Sequence, residues 1–406
     1  MKSIDIIAFD GRDWNTESLE LLRNADIVAA GKRILAALPP ELSARKVPLG
    51  GNLAAELESL LRQESDARLV VAASGDPLCW GIGGTLRRLL PEGSYRVHPG
   101  TAAFQLLAAR LGEPWEKWEL FHCHGNDTPL PWRRILRAPG AILYGDPRRT
   151  ARQLAAELIA AFPAAGNRRA AAGCDLNTQA ELVVRGTLAE LAAGAVPDRA
   201  LSILLILPGE NTGTPDCGFG REDADYLHSK QMITHPEVRA IVLSKLRLPA
   251  SGVLWDLGAG SGSVGIEAAE LVPELKVHAV EKNPERFAEL AENIRRSGGN
   301  AFSAHSADAT PLLDTLPAPD RVFIGGGGDA LPALLKRSFE RLHPGGRLVA
   351  TAVLMESAAV LATVLAPYRQ ELLTVNVSRA AALGEHHCFK AENPITVAVF
   401  VKPENE

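Results

Sequence analysis

Residues 252–269 read GVLWDLGAGSGSVGIEAA, and this stretch decides the fold of the second half of the chain. The apolar run 253–257 predicts a strand, Gly258, Gly260 and Gly262 follow at once, and an amphipathic pattern predicts a helix over 264–271. Glycines at the end of a strand let the backbone pass close to a bound ligand, where any side chain would collide. About 20 residues further on, the run KVHAVEKNPE ends on Glu281, where such folds keep a carboxylate that accepts ribose hydroxyls. Strand, glycine loop, helix, strand and acid together predict a half that holds a nucleotide-like cofactor.

Two cofactors compete for this Rossmann-like half, because Gly260, Gly262 and Gly265 also satisfy the dinucleotide spacing G-x-G-x-x-G. Three features favour S-adenosylmethionine over NAD. Asp256 precedes the first glycine by two residues, where an acid can hold the methionine ammonium. A third strand-like segment ends in Ser306-Ala307-Asp308-Ala309, which brings a carboxylate near an adenine amino group. Two β-rich runs, 371–379 and 396–402, then close the chain as the antiparallel end hairpin of a methyltransferase sheet.

The other elements of this half are predicted as strands 277–281, 302–305, 321–324 and 347–353 and helices 284–296, 331–342 and 356–365. Such alternation implies parallel strands with right-handed crossovers and ligands beyond their carboxyl ends. The glycines 325–328 lie at such an end, where they suit a bulky planar substrate. Ahead of the cofactor strand, Ile233-Thr234-His235-Pro236-Glu237 predicts a helix start with Thr234 as N-cap, a position that also lets Thr234 cover the cofactor.

At 406 residues the chain fits two domains of about 200 residues each. Between Leu207 and Gln231 the text turns rich in Pro, Gly, Asp, Asn and Thr, which predicts a linker and a boundary near 212, giving domains 1–211 and 212–406. The net charge of −5 offers no basic field for nucleic acid or anionic lipid, so an RNA methyltransferase is disfavoured and a small-molecule substrate is expected. Five widely spaced cysteines without a C-x-x-C pair read as reduced thiols. No signal peptide and no membrane-length apolar run is found, so a soluble cytoplasmic protein is expected, and a homo-oligomer is its expected state. His386-His387 lacks a third ligand, so no metal is expected.

The first half predicts a strand 4–9, a helix 16–24 and a strand 27–29, and its most informative segment is VVAASGDPLCWGIGG, residues 70–84. A strand runs into Ser74-Gly75-Asp76-Pro77 and turns before a helix predicted at 85–90. Such a turn presents backbone donors and a carboxylate to a polar cofactor.

Taken in order, these motifs resemble the precorrin-6Y C5,15-methyltransferase (decarboxylating) family of cobalamin biosynthesis. The first half is similar to tetrapyrrole methylases through SGDPLCWGIGGTLRR, Val97-His98-Pro99-Gly100-Thr101-Ala102-Ala103, LGEPW and Cys123-His124-Gly125. The second half is similar to the decarboxylating subunit through ITHPEVRA, DLGAGSGSVGIEAA, VEKNPE, FIGGGG, HPGGRLVATAV, NVSRA and FKAENP. The resemblance implies an α/β chain, a tetrapyrrole methylase-like domain followed by a Rossmann-like class I methyltransferase domain. It implies S-adenosylmethionine at Thr234, Gly258, Ala259, Gly260, Ser261, Gly262, Glu281, Asp308 and Ala309, and at Ser74, Gly75, Asp76, Pro77 and Thr101 in the first half.

The reaction implied is methylation of precorrin-6B at ring carbons 5 and 15 with decarboxylation of the ring C acetate, giving precorrin-8. Carbon 15 and the decarboxylation fall to the second half and carbon 5 to the first; the alternative is a docking role for the first half. The first half departs from the pattern at Ala8-Phe9-Asp10-Gly11-Arg12, where a Gly-Pro loop is usual, and at Asn126, where an arginine is common. Gly326, Gly327 and Arg379 are the expected substrate contacts. Arg221, Arg239, Arg247, His386, His387 and Lys390 are further cations suited to a polycarboxylate. No general acid or base is assigned.

Overall fold

The computed structural model describes residues 3–63, 66–123, 130–208, 219–229, 233–298 and 302–404. It resolves into two compact units, Met1–Asn126 with Ala138–Gly213, and Asp127–Arg137 with Thr214–Glu406.

The first unit holds two sheets. Strands β1 (Ser3–Phe9), β2 (Ile27–Gly31), β3 (Arg45–Leu49), β4 (Arg68–Ser74) and β5 (Arg96–Val97) form an all-parallel sheet in the order β3-β2-β4-β1-β5. β1 and β4 are almost wholly buried, as continuous aliphatic runs in a sheet covered on both faces should be. Strands β6 (Glu119–His122), β7 (Ala141–Tyr144), β8 (Arg169–Cys174), β9 (Leu182–Thr187) and β10 (Ser202–Ile206) form a mixed sheet ordered β6-β7-β10-β8-β9. The helix expected at 85–90 begins earlier and spans Ile82–Leu89. It starts immediately after the Gly81 N-cap, and glycine is needed at 81 and 83 because a Cβ at either would meet the Pro77 carbonyl.

The second unit is built on one seven-stranded sheet. Strands β11 (Gly252–Leu257), β12 (Leu275–Glu281), β13 (Phe302–Ser306), β14 (Arg321–Ile324) and β15 (Arg347–Ala352) are mutually parallel. After β16 (Arg369–Val375), the ribbon strands β17 (Ser378–Leu383) and β18 (His386–Ala391), and β19 (Ile395–Val401), the full order is β13-β12-β11-β14-β15-β19-β16, with β19 antiparallel to both neighbours. The strand order reverses at β11, which lies between β12 and β14. That places the ligand crevice at the loops leaving β11 and β14. One apolar cluster around Trp255, Leu335 and Phe400 and another around Val242, Val277 and Val399 pack the sheet.

Three expectations change here. The run 371–379 is not one strand: it breaks after Val375, and β17 pairs with β18 in a separate, exposed two-stranded ribbon. Arg379, His386, His387 and Lys390 therefore sit on strands instead of in a hairpin loop, and adjacent His386 and His387 point to opposite faces. The helix after Thr234 is Pro236–Leu246 with His235, not Thr234, as its N-cap residue.

The expected linker is also only partly a linker. Its centre and the proposed cut near 212 lie outside the described residues, but 219–229 packs into the second unit with Arg221 and Tyr226 buried. It looked like a linker because its anchors are polar and follow no apolar period. The helix Trp132–Arg137, from the first half of the sequence, also belongs to the second unit, where Trp132 Nε1 donates to the Arg296 carbonyl at 2.8 Å. Among the described residues no helix is long and apolar enough to cross a membrane.

Candidate functional site

At the switch point of the second unit lies a cavity of about 790 Å³, within the roughly 300–1,000 Å³ usual for small-molecule sites. Thr234 and His235 form part of its wall, Gly258, Ala259, Gly260 and Ser261 come from the loop after β11, and 325–328 come from the loop after β14. Val264, Phe323, Leu331 and Ile395 add apolar surface, and Arg286, Thr351, Ser357, Glu392 and Asn393 add polar groups.

The glycine loop is held in a shape that other residues would resist. Gly258, Gly260 and Gly262 all have positive φ, and a Cβ on Gly258 would lie 3.0 Å from the Gly326 carbonyl. A Cβ on Gly262 would come within 2.3 Å of Leu290 Cδ1, so Gly262 serves packing and does not line the cavity. At Gly326 a Cβ would meet nothing within 4 Å, so bare backbone faces open space there.

Glu281 is 3 % exposed and shapes the loop from beneath. Its Oε2 accepts from Gly260 N at 3.0 Å, its Oε1 accepts from Asn283 N at 2.8 Å, and Arg286 lies 3.3 Å away. It is not among the lining residues, and neither are Asp308 and Ala309. Asp308 caps the short helix Ala309–Leu312 by accepting from Thr310 N at 2.9 Å.

Asp256, read from the sequence as an ammonium ligand, turns away from the cavity. It is 1 % exposed beneath the helix Ser263–Leu271, where Oδ2 accepts from Gly265 N at 3.0 Å and Oδ1 has no hydrogen-bond partner among the described residues. Burial, and to a lesser degree the charge of Glu281, pushes its carboxyl up to about 7. Arg379 is likewise engaged elsewhere, forked onto Glu237 at 2.8 and 3.0 Å and bonded to Glu392 at 2.5 Å. Arg221 and Arg239 are buried structural cations, not groups facing a substrate.

The sequence reading missed the network that carries His235. Asp223, in the 219–229 segment, accepts the His235 ring through Nδ1 and receives Arg239 Nη1 at 3.2 Å. Arg239 is fully buried. Its Nε donates to Glu267 Oε1 at 2.8 Å, and its Nη groups donate to the carbonyls of Thr234 and Arg221. Glu267 also accepts from Gly220 N, Arg221 N and the Tyr226 hydroxyl. A buried ion pair is tolerated only when its remaining donors and acceptors are met, and here they are met by 219–226. The signal in the sequence was the acid spacing of Asp223 and Asp225 ahead of His235, which composition alone assigned to a loop.

The first unit has its own cavity of about 260 Å³ where its two sheets meet. Ser74, Gly75, Asp76 and Thr101 line it, while Pro77 does not. Gly75 has φ +69, and Asp76 ties two turns together, accepting from Leu78 N at 2.8 Å and Gly100 N at 3.1 Å. Phe9 does not crowd the site: it is 3 % exposed and packs on Trp14 in the core. Asp10, Arg33, Tyr144 and Asp175 are lining residues not anticipated from the sequence, and Arg33 donates to Ser74 Oγ at 2.7 Å. Burial pushes the Tyr144 phenol up, so it serves as a neutral hydroxyl that accepts from Phe104 N. His124, Gly125 and Asn126 lie outside the described residues.

Comparison with known proteins agrees with both halves. A model of the tetrapyrrole (corrin/porphyrin) methylases matches residues 13–192, and one described as a precorrin methyltransferase domain matches 224–402. The precorrin-6Y C(5,15)-methyltransferase [decarboxylating] of Sinorhizobium sp is 33 % identical over 330 residues, covering 81 % of this chain and 78 % of that protein.

The chain belongs to the precorrin-6Y C5,15-methyltransferase (decarboxylating) family.

Members of this family are methyltransferases of cobalamin biosynthesis, and this chain is an enzyme of that class. Its second half is also similar to a shorter relative, the cobalt-precorrin-6B C(15)-methyltransferase (decarboxylating) of Salmonella typhimurium, at 40 % identity over 176 residues, 43 % of this chain and 91 % of that protein. A crystal structure of precorrin-6Y C5,15-methyltransferase from Geobacter metallireducens GS-15 matches at 36 % identity with a TM-score of 0.43, covering 46 % of this chain and 97 % of that one.

Proposed function

We propose that this enzyme uses S-adenosylmethionine to methylate precorrin-6B at ring carbons 5 and 15 and decarboxylates its ring C acetate, giving precorrin-8. The observation that carries the reading is the 790 Å³ cavity walled by two glycine loops at the switch point, in a chain of this family. S-adenosylmethionine, when bound, supplies an electrophilic methyl group.

The residues present fit that cofactor. The positive-φ loop from Gly258 to Gly262 leaves backbone bare at the cavity wall, Thr234 and Ser261 offer hydroxyls, and Val238 and Val264 offer an apolar face. Glu281 holds the Gly260 amide and so fixes the loop that receives the cofactor. Gly326 leaves room for a planar macrocycle, Gly327 lines the same wall with its bare Cα packed on Leu331, and Arg286 lines the cavity while paired with Glu281. In the first unit the same part falls to Ser74, Gly75, Asp76 and Thr101. What the chain contributes is in-line positioning and exclusion of water, since the cofactor carries the reactive group.

The wide spacing of free cysteines supports work in the cytoplasm. Exposed Leu383 and Phe389 on the β17–β18 ribbon support a homo-oligomer. Incubation of the purified chain with precorrin-6B and S-adenosylmethionine tests the reading: mass spectrometry should find two methyl groups gained and one carbon dioxide lost. A product that keeps all its carboxylates would refute it.

A further inference from the structure

Loss of carbon dioxide from an acetate side chain leaves a methylene carbon that must take a proton. The bond between methylene and carboxyl carbons breaks, its electron pair passes into the conjugated macrocycle, and the methylene becomes a methyl group on protonation. The proton released where a ring C–H is replaced by C–CH₃ balances the one taken up, so no oxidant or reductant is needed. Carbon dioxide departs without donating a proton. A donor near neutral pH is therefore required, and a titratable side chain lining the cavity can supply it in place.

Three of the described residues lining the second-unit cavity titrate: His235, Arg286 and Glu392. Arginine stays protonated at any working pH, and Arg286 is turned towards Glu281. Glu392 accepts from Arg379 Nε at 2.5 Å, so its carboxylate is engaged by that guanidinium. Histidine is the side chain that both holds and releases a proton near neutrality. His235 lines the cavity with its side chain 37 % exposed, and Asp223 occupies Nδ1, leaving Nε2 as the ring nitrogen available to a substrate. Asp223 is in turn fixed by Arg239, which Glu267 holds in the core. An imidazole oriented by a buttressed carboxylate is the arrangement expected of a group that transfers protons.

We propose that His235, oriented by Asp223 and buttressed by Arg239, delivers the proton taken up by the acetate methylene during decarboxylation. The proposal rests on the reading of function above. Asp223 and Arg239 are positioning residues that act through the His235 ring.

The test uses the full chain with precorrin-6B and S-adenosylmethionine and measures the ratio of carbon dioxide released to methyl groups transferred. In His235→Ala this ratio should fall about 100-fold, the usual range for a lost proton donor, and added imidazole should restore it. Binding of S-adenosylhomocysteine by calorimetry identifies folded variants. Should the alanine variant fail that check, His235→Asn, which keeps a donor for Asp223 but carries no transferable proton, must show the same fall. An unchanged ratio overturns the proposal, as does a fallen ratio that imidazole leaves low. A wild-type chain that transfers methyl groups without releasing carbon dioxide would instead overturn the functional reading itself, and the proposal with it.

Discussion

Asp256 shows what one buried carboxyl does beneath a glycine loop. It satisfies the Gly265 amide at the start of a helix, yet leaves Oδ1 without a partner among the described residues, at a position only 1 % exposed. Its carboxyl titrates at about 7 in the fold against 3.8 for the free side chain, so between these values the native protein binds more protons than the unfolded chain. Stability from this group is therefore fullest below about pH 4 and declines as pH rises towards 7, by up to roughly 1.4 kcal/mol per pH unit. Urea unfolding of wild type and Asp256→Asn should give curves whose midpoints converge in acid and separate at pH 8, with the asparagine variant losing less stability on the way. Parallel pH dependence in the two proteins would mean that Asp256 is ionised and paired. The sequence placed this acid beside the right glycines but could not say which way it turned, because neighbouring strand positions face opposite sides.

At the scale of elements, the stretch that opens the second half was legible because its cues are local. Glycine spacing, an apolar strand and a helical period all lie within a few residues of one another. The 219–229 segment was not legible for the opposite reason. Its burial depends on Glu267 and Arg239, which lie distant in sequence, so no window of composition distinguishes it from a linker. His235 and Asp223 were missed by the same route, as were Arg33 and Tyr144 in the first unit, where strands far apart in the chain bring them to one cavity.

The packing of this segment has a measurable consequence. A fragment beginning at residue 213 keeps Tyr226, Arg221 and Asp223, whereas one beginning at 233 strips Glu267 of the Tyr226 hydroxyl and two backbone amides. Breaking a buried charged network costs about 3–5 kcal/mol. Thermal unfolding followed by circular dichroism should therefore find the shorter fragment much less stable, or unfolded. Equal melting temperatures would show that 219–229 is only a tether.

For the whole molecule, the succession of two α/β halves was legible from an ordered series of short motifs. It could not foresee that Trp132–Arg137 would group with the second unit, since that assignment depends on a tertiary contact to Arg296. The two cavities differ in size, about 260 against 790 Å³, yet both have glycine turns at the ends of parallel strands. Under the proposed function, one methylation falls to each, with the decarboxylation at the larger.

The most direct measurement of that division is the product made by full-length Gly75→Val/Asp76→Asn. Valine at a position with φ +69 and only 3.4 Å from the Thr101 carbonyl obstructs the first cavity, and asparagine loosens the turn that Asp76 ties to Gly100. With precorrin-6B and S-adenosylmethionine, mass analysis should find a doubly methylated, decarboxylated product from wild type and a singly methylated, decarboxylated product from the variant. The same doubly methylated product from both, or a wild type that stops after one methyl group, would contradict the account.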